Sequence, residues 1–113
     1  MNILTGIDIV DIGRFEKALN EGGEAFSSRI FLPSERKRTS AEHLAGVFAA
    51  KEAIIKTFSI TKESWLLIEI RNDAAGKPHA DITADIPYTV LGRDISVAHD
   101  GGMAIAHCVA LVS

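Results

Sequence analysis

Apolar residues follow a strand period at the start of the chain, helical periods through its first half and strand periods again beyond Phe58. Residues 3–10, Ile-Leu-Thr-Gly-Ile-Asp-Ile-Val, form a β-branched run of strand length. Asp11 is placed to cap a helix over 12–20, with Ile12, Phe15 and Leu19 on one stripe and Gly22-Gly23 ending it. Pro33-Ser34 opens a short helical turn through Arg38. Thr39 followed by Glu42 reads as a capping box for a long, alanine-rich helix over 41–58. Leu44, Ala45, Phe48, Ala49 and Ile55 give that helix its apolar period. Trp65 to Ile70 is a candidate strand, residues 73–78 a turn, and 79–84 a weaker strand. Asp94–His99 and Met103–Leu111 flank Asp100-Gly101-Gly102, a strong hairpin signal. Helices early and strands late predict an α+β fold, an antiparallel sheet packed on a long helix.

Length and composition narrow this picture. One hundred and thirteen residues make a single small domain, residues 1–113. Hydrophobic residues at 47% and charged residues at 24% exclude a disordered chain, and aromatics at 6% leave the core to aliphatic side chains. A net charge of −3 argues against nucleic acid as a partner. The single cysteine, Cys108, excludes an internal disulfide and fits a reducing compartment. Asp8 and Asp11 interrupt the apolar start and no basic segment precedes it, so no secretory signal is expected. The longest apolar stretch, Met103 to Val112, contains His107 and is too short to span a bilayer. A cytoplasmic protein with no membrane partner is the expectation. A chain this short has difficulty enclosing a large ligand alone. Either the ligand is small or the site is shared between subunits.

Several residues stand out chemically. Asp8 shares a strand face with Leu4, Gly6 and Val10, so its carboxylate points where apolar groups point and needs a cation, donors or water. It is either an N-cap or salt-bridged strand end, or a hard-metal ligand. Glu52 lies four residues after Phe48 and three before Ile55, beside the apolar stripe. Lys56 follows one turn later, and Glu52–Lys56 alone reads as an ordinary helix ion pair. Lys51 is expected to lie off that face, in solvent. His99 sits at the end of a hairpin strand, and His43, His79 and His107 show no ligand spacing with it. Two carboxylates and a lysine suit Mg²⁺ better than zinc, because Mg²⁺ takes one or two carboxylates plus phosphate oxygens. Arg29, Arg36, Lys37 and Arg38 crowd one segment, and Arg14 and Lys17 stand on the first helix. Solvated helix faces account for both groups, and recognition of phosphates or of an acidic protein is the functional alternative.

Together these segments resemble the small holo-acyl-carrier-protein synthases of the 4′-phosphopantetheinyl transferase family. Gly6-Ile-Asp8-Ile-Val is similar to the family's opening strand, and Arg29-Ile-Phe-Leu-Pro-Ser-Glu35 to its second block. Leu44-Ala-Gly46-Val-Phe-Ala-Ala-Lys51-Glu52-Ala is similar to its helix motif. Gly76-Lys77-Pro78 and Ser96-Val-Ala-His99-Asp100-Gly101-Gly102 match the last two blocks, in order. The resemblance implies transfer of 4′-phosphopantetheine from coenzyme A to a serine of an apo acyl carrier protein, with release of 3′,5′-ADP. It implies Mg²⁺ held by Asp8 and Glu52, phosphate oxygens steadied by Lys56, and Glu52 helping to deprotonate the serine. It implies Gly76, Lys77, Pro78 and His99 at the nucleotide end of coenzyme A, Arg14 and Lys17 on the carrier-docking face, and a homotrimer with sites between subunits.

The chain also departs from the family pattern. Val47 stands where an arginine is usual, Ala98 where a serine is common, and Met103 where a tyrosine is common. Ser59-Ile-Thr-Lys-Glu-Ser64 replaces a glycine-rich loop. The alternative expectation is therefore a catalytically impaired member of the fold that binds carrier protein or coenzyme A without transfer.

Overall fold

A computed structural model describes residues 1–113. The chain begins with strand β1 (Asn2–Asp11), whose last residue caps helix α1 (Ile12–Ile30): Asp11 Oδ1 accepts the Arg14 N–H at 2.9 Å. The expected end of this helix at Gly22-Gly23 is instead a break. Gly23 takes φ 57° and ψ −146°, a region open to glycine, and a second helical stretch runs on to Ile30. That stretch turns Phe26 toward Phe15, edge to face at 6.1 Å, so the core contact outweighs the weak helical pattern after the glycines.

A 3₁₀ turn (Pro33–Lys37) leads to helix α2 (Ala41–Phe58). Its bounds match the sequence pattern, but its cap does not. Ser40, not Thr39, accepts the His43 N–H, so no Thr39–Glu42 box forms. A second 3₁₀ turn (Trp65–Leu67) occupies the first half of the segment expected to be a strand. Strand β2 (Ile68–Asn72) then pairs antiparallel with β3 (Pro78–Ile82) through the Asp73–Lys77 turn, where Gly76 adopts φ 87°. The final hairpin is longer than its sequence signal, β4 (Val90–Asp100) and β5 (Met103–Val112), and turns through Gly101 and Gly102, both at positive φ.

The strands form two sheets rather than one. The larger has order β1-β5-β4, all antiparallel, and the smaller is the β2-β3 ribbon. Helix α2 lies across the larger sheet. Its alanines Ala45, Ala49, Ala50 and Ala53 are fully buried, which lets the helix backbone approach the strands. At Gly6 the approach is closest. A Cβ there would overlap the Ala53 carbonyl and the Thr57 hydroxyl, so only glycine lets β1 pass. The core joins this helix to Phe15, Phe31, Ile68, Ile95 and the inward residues of β5.

The opposite face of the larger sheet carries no covering layer. Ile3, Ile7 and Ile9 on β1 are 71%, 60% and 58% exposed, and Val109 and Leu111 on β5 extend the same apolar face.

Candidate functional site

The sequence candidates fall into two groups on opposite flanks of α2. The first lies along β1. Register places Asp8 opposite Ala106 on the helix-covered face, as its alternation with Leu4, Gly6 and Val10 requires. Its side chain is only 15% exposed. Lys56, on the last turns of α2, bonds Asp8 Oδ1 at 2.9 Å and the Ile7 carbonyl at 3.0 Å. The expected helical pair with Glu52 does not form, because Asp8 and a backbone carbonyl together outbid a single i,i+4 partner. Glu52 stands one turn earlier on the same helix, half-buried, and accepts a long hydrogen bond from the Trp65 indole at 3.4 Å.

Two carboxylates therefore keep free oxygens beside a lysine that has bonded only two of its three N–H groups. No group of three or more His, Cys, Asp or Glu side chains is placed to hold a metal ion by itself. That donor set fits Mg²⁺ completed by water and substrate phosphate, and does not fit a closed zinc site.

The second group surrounds a cavity of about 400 Å³ against β4, lined by Arg38, His43, Val47, Gly76, Pro78 and His99 among others. His99 is on the helix-covered face, opposite Ala104. Its Nε2 lies 3.1 Å from the Glu42 carbonyl, and Gly46 makes room for the ring, since a Cβ there would stand 2.8 Å from that nitrogen. Gly76 and Pro78 bring the β2-β3 turn to the cavity wall. Lys77 points away from it: its ammonium bonds Asp94 at 2.9 Å and holds that carboxyl below the usual carboxylate range. Val47 is buried in the wall and brings no charge, leaving Arg38 as the one lysine or arginine there, beside His43 and His99.

His43 was not singled out by sequence, having no ligand spacing. Burial, then the nearby Arg38 and His99 charges, push its pKa below the ordinary histidine value, with Glu35 pulling weakly the other way. Its folded pKa being depressed, the stability it contributes is present above the unfolded value and is lost as pH falls through the folded one. An NMR titration should therefore find His43 turning acidic-side of a free histidine, and Arg38→Gln should move its midpoint back up. An unmoved midpoint would remove Arg38 from the causes.

Lys51 corrects an expectation outright. It is not solvated but fully buried, donating to Glu35 at 2.6 Å, the Ile30 carbonyl at 2.7 Å and the Trp65 carbonyl at 2.9 Å. Burial holds its ammonium below the ordinary lysine pKa, and the hydrogen bond and charge of Glu35 oppose that shift. The signal was present: Leu44, Phe48, Lys51 and Ile55 are spaced four, three and four, a helical stripe that runs through the lysine. Arg14 and Lys17 stand exposed on the first turns of α1, Lys17 only 4.0 Å from Glu21.

The two flanks are far apart. Glu42 and Glu52 are separated by about 15 Å of helix rise. Asp8 and His99 lie on outer strands of the sheet, two strand spacings or about 10 Å apart, with α2 between them. The α+β scaffold thus carries a carboxylate–lysine group on one flank of its long helix and a polar cavity edged by Arg38, His43 and His99 on the other.

Comparison with known proteins gives that scaffold a family. The 4′-phosphopantetheinyl transferase superfamily matches over residues 5–108, and the chain belongs to it. Within it the chain is an enzyme of the holo-[acyl-carrier-protein] synthase kind. It is 40% identical to the holo-[acyl-carrier-protein] synthase of Geobacter sp. (strain M21), over 93% of this chain and 94% of that one. It is 38% identical to that of Nautilia profundicola, over 96% and 99%. A Chronobacterium ammoniagenes ACPS–CoA complex superposes with TM-score 0.87 at 29% identity, covering 100% of this chain and 99% of that one. The Helicobacter pylori holo-[acyl-carrier-protein] synthase in complex with coenzyme A gives 0.81 at 33% identity, covering 97% and 100%. The antiparallel α+β architecture is thus that of these enzymes. No helix is long and apolar enough to cross a membrane.

Proposed function

We propose that this chain transfers 4′-phosphopantetheine from coenzyme A to a serine of an apo acyl carrier protein, with Mg²⁺ held by Asp8 and Glu52. The carrying observation is the Asp8–Lys56–Glu52 group, two carboxylates with free oxygens and a lysine with a free N–H. The metal, when bound, neutralises charge on the pyrophosphate oxygens. Lys56, anchored on Asp8 and the Ile7 carbonyl, turns its remaining N–H to a phosphate oxygen. The serine oxygen bonds to the phosphorus that carries the pantetheine arm. The bond from that phosphorus to the bridging oxygen breaks, and 3′,5′-ADP leaves with the electron pair. Glu52 takes the serine proton, directly or through water. Positioning and charge stabilisation carry most of the rate in such a transfer. Arg14, three residues beyond the end of β1, and Lys17, one turn further along α1, present cations to an acidic carrier surface.

The cavity at His99, Gly76 and Pro78 takes the nucleotide end. Since α2 divides it from Asp8 within one chain, a neighbouring copy supplies one of the two halves of each site. The bare face of Ile3, Ile7, Ile9, Val109 and Leu111 is the surface for that association, as a homotrimer acting in the cytoplasm.

Incubation of an apo carrier protein with coenzyme A and Mg²⁺ should add the mass of one phosphopantetheine, and chelation should stop it. Mixing Asp8→Ala and His99→Ala chains, each inactive, should restore part of the activity after subunit exchange. No restoration would mean that each chain holds a whole site. Tight binding of coenzyme A with no mass gain on any carrier would favour the alternative, a binding module of the same fold, which Val47 and the glycine-free Ser59–Ser64 loop motivate.

A further inference from the structure

We propose that Trp65 is a positioning residue for Glu52: its indole N–H orients the Glu52 carboxylate toward the metal, and the buried Lys51 fixes Trp65 in place to do so. This rests on the reading of Glu52 as a metal ligand.

The chain of contacts is continuous. Trp65 Nε1 lies 3.4 Å from Glu52 Oε2, the one hydrogen bond that carboxylate makes. The ring packs on Phe48 at 5.8 Å between centroids, and Phe48 stacks on Phe15 of α1 at 5.2 Å. The Trp65 backbone is held from beneath, its carbonyl accepting from Lys51 at 2.9 Å. Lys51 is itself locked by Glu35 and by the end of α1. The 3₁₀ turn that replaces the expected strand start is what swings the indole over α2. A strand at 65–67 would alternate its side chains across the ribbon and would not combine a ring facing the helix with a carbonyl facing Lys51.

A carboxylate with one oxygen tied to an N–H presents the other in a fixed direction. Partners of this kind, which hold a metal ligand without touching the metal, typically account for about 10–100-fold in metal affinity or activity. At 3.4 Å the bond is long, so the lower end of that range applies here.

Trp65→Phe keeps an aromatic ring on Phe48 and removes only the N–H. Its half-saturating Mg²⁺ concentration for transfer should rise about ten-fold. The KM for coenzyme A at saturating Mg²⁺, and the melting temperature in metal-free buffer, should stay at the wild-type values. A purely structural role would move the melting temperature and leave the Mg²⁺ dependence alone.

Trp65 is the only tryptophan in the chain, so its emission supplies a readout without turnover. Wild-type emission should change saturably with Mg²⁺ alone, and should differ in metal-free buffer between wild type and Glu52→Gln. Equal Mg²⁺ dependence in Trp65→Phe and wild type overturns the proposal and leaves the Mg²⁺-dependent transfer standing. Wild-type transfer unaffected by chelation overturns both. Should Trp65→Phe fail to fold, identical metal-free emission of wild type and Glu52→Gln overturns the proposal by itself.

Discussion

Asp8→Ala should lose phosphopantetheine transfer by about a hundred-fold or more while keeping its fold. Residues that merely orient a metal ligand account for about 10–100-fold, and a ligand itself for at least the upper end. The fold should survive because Asp8 meets a partly exposed lysine, a pair worth about 0–1 kcal/mol. Lys56 also retains the Ile7 carbonyl. The measurement is kcat/KM from the carrier mass assay, with a thermal melt on the same sample. Glu52→Gln should fall comparably. The double variant should fall little further, because groups that act as a unit are not additive. Full additivity would place the two carboxylates in separate roles. Activity in Asp8→Ala within ten-fold of wild type would remove Asp8 from the metal site altogether.

Asp8 was legible because strand alternation is rigid: period two puts it on the same face as Gly6, and Gly6 is where α2 presses closest. Helix α2 was legible for the same kind of reason, since its alanines and its leucine, isoleucine and phenylalanine positions repeat at the helical period over eighteen residues. What sequence could not show was decided by contacts distant in the chain. Lys56 turns to Asp8, forty-eight residues away, and not to Glu52, because β1 brings a carboxylate and a carbonyl to it together. Trp65 leaves the strand pattern because its carbonyl is wanted by Lys51 and its ring by Phe48. The apolar face of the larger sheet reads in sequence like core, since outward Ile3, Ile7 and Ile9 are as hydrophobic as inward residues. Only the layer order shows that nothing in this chain covers them. Gly76, Pro78 and His99, named together through the family resemblance, do meet at one cavity, whereas Lys77, named with them, turns away to Asp94. Their separation from Asp8 by the body of α2 required the fold, because it depends on the strand order and not on spacing in the chain.

The largest effect on stability belongs to a residue outside the chemistry. Lys51→Met should destabilise the protein by about 3–5 kcal/mol, the usual consequence of removing one member of a buried ion pair. Against the typical stability of about 5–15 kcal/mol for a domain, that is a large share. The side chains of Lys51 and Glu35 are both 0% exposed, so neither charge has water to fall back on. Lys51 spends all three N–H groups on protein oxygens. Glu35 in turn accepts the Leu32 and Ile70 N–H groups, each at 2.8 Å. One pair thereby ties together the end of α1, the turn at Pro33–Lys37, α2, the Trp65 turn and β2. Methionine fills the same volume without a donor, leaving a buried carboxylate without its cation and two carbonyls, Ile30 and Trp65, without partners. Adding Glu35→Gln should recover part of the loss. It removes the orphaned charge, keeps an acceptor for one backbone N–H, and supplies an amide that can donate toward Ile30. Full recovery is not expected, because an uncharged amide cannot serve both Leu32 and Ile70 as the carboxylate does. Urea unfolding reads the result as a fall in midpoint at unchanged slope for Lys51→Met and a partial return in the double variant. A single variant within about 1 kcal/mol of wild type would mean that the site admits water or a substitute donor. A double variant worse than the single would mean that the Glu35 charge is sustained mainly by the Leu32 and Ile70 N–H groups, with Lys51 contributing packing more than charge.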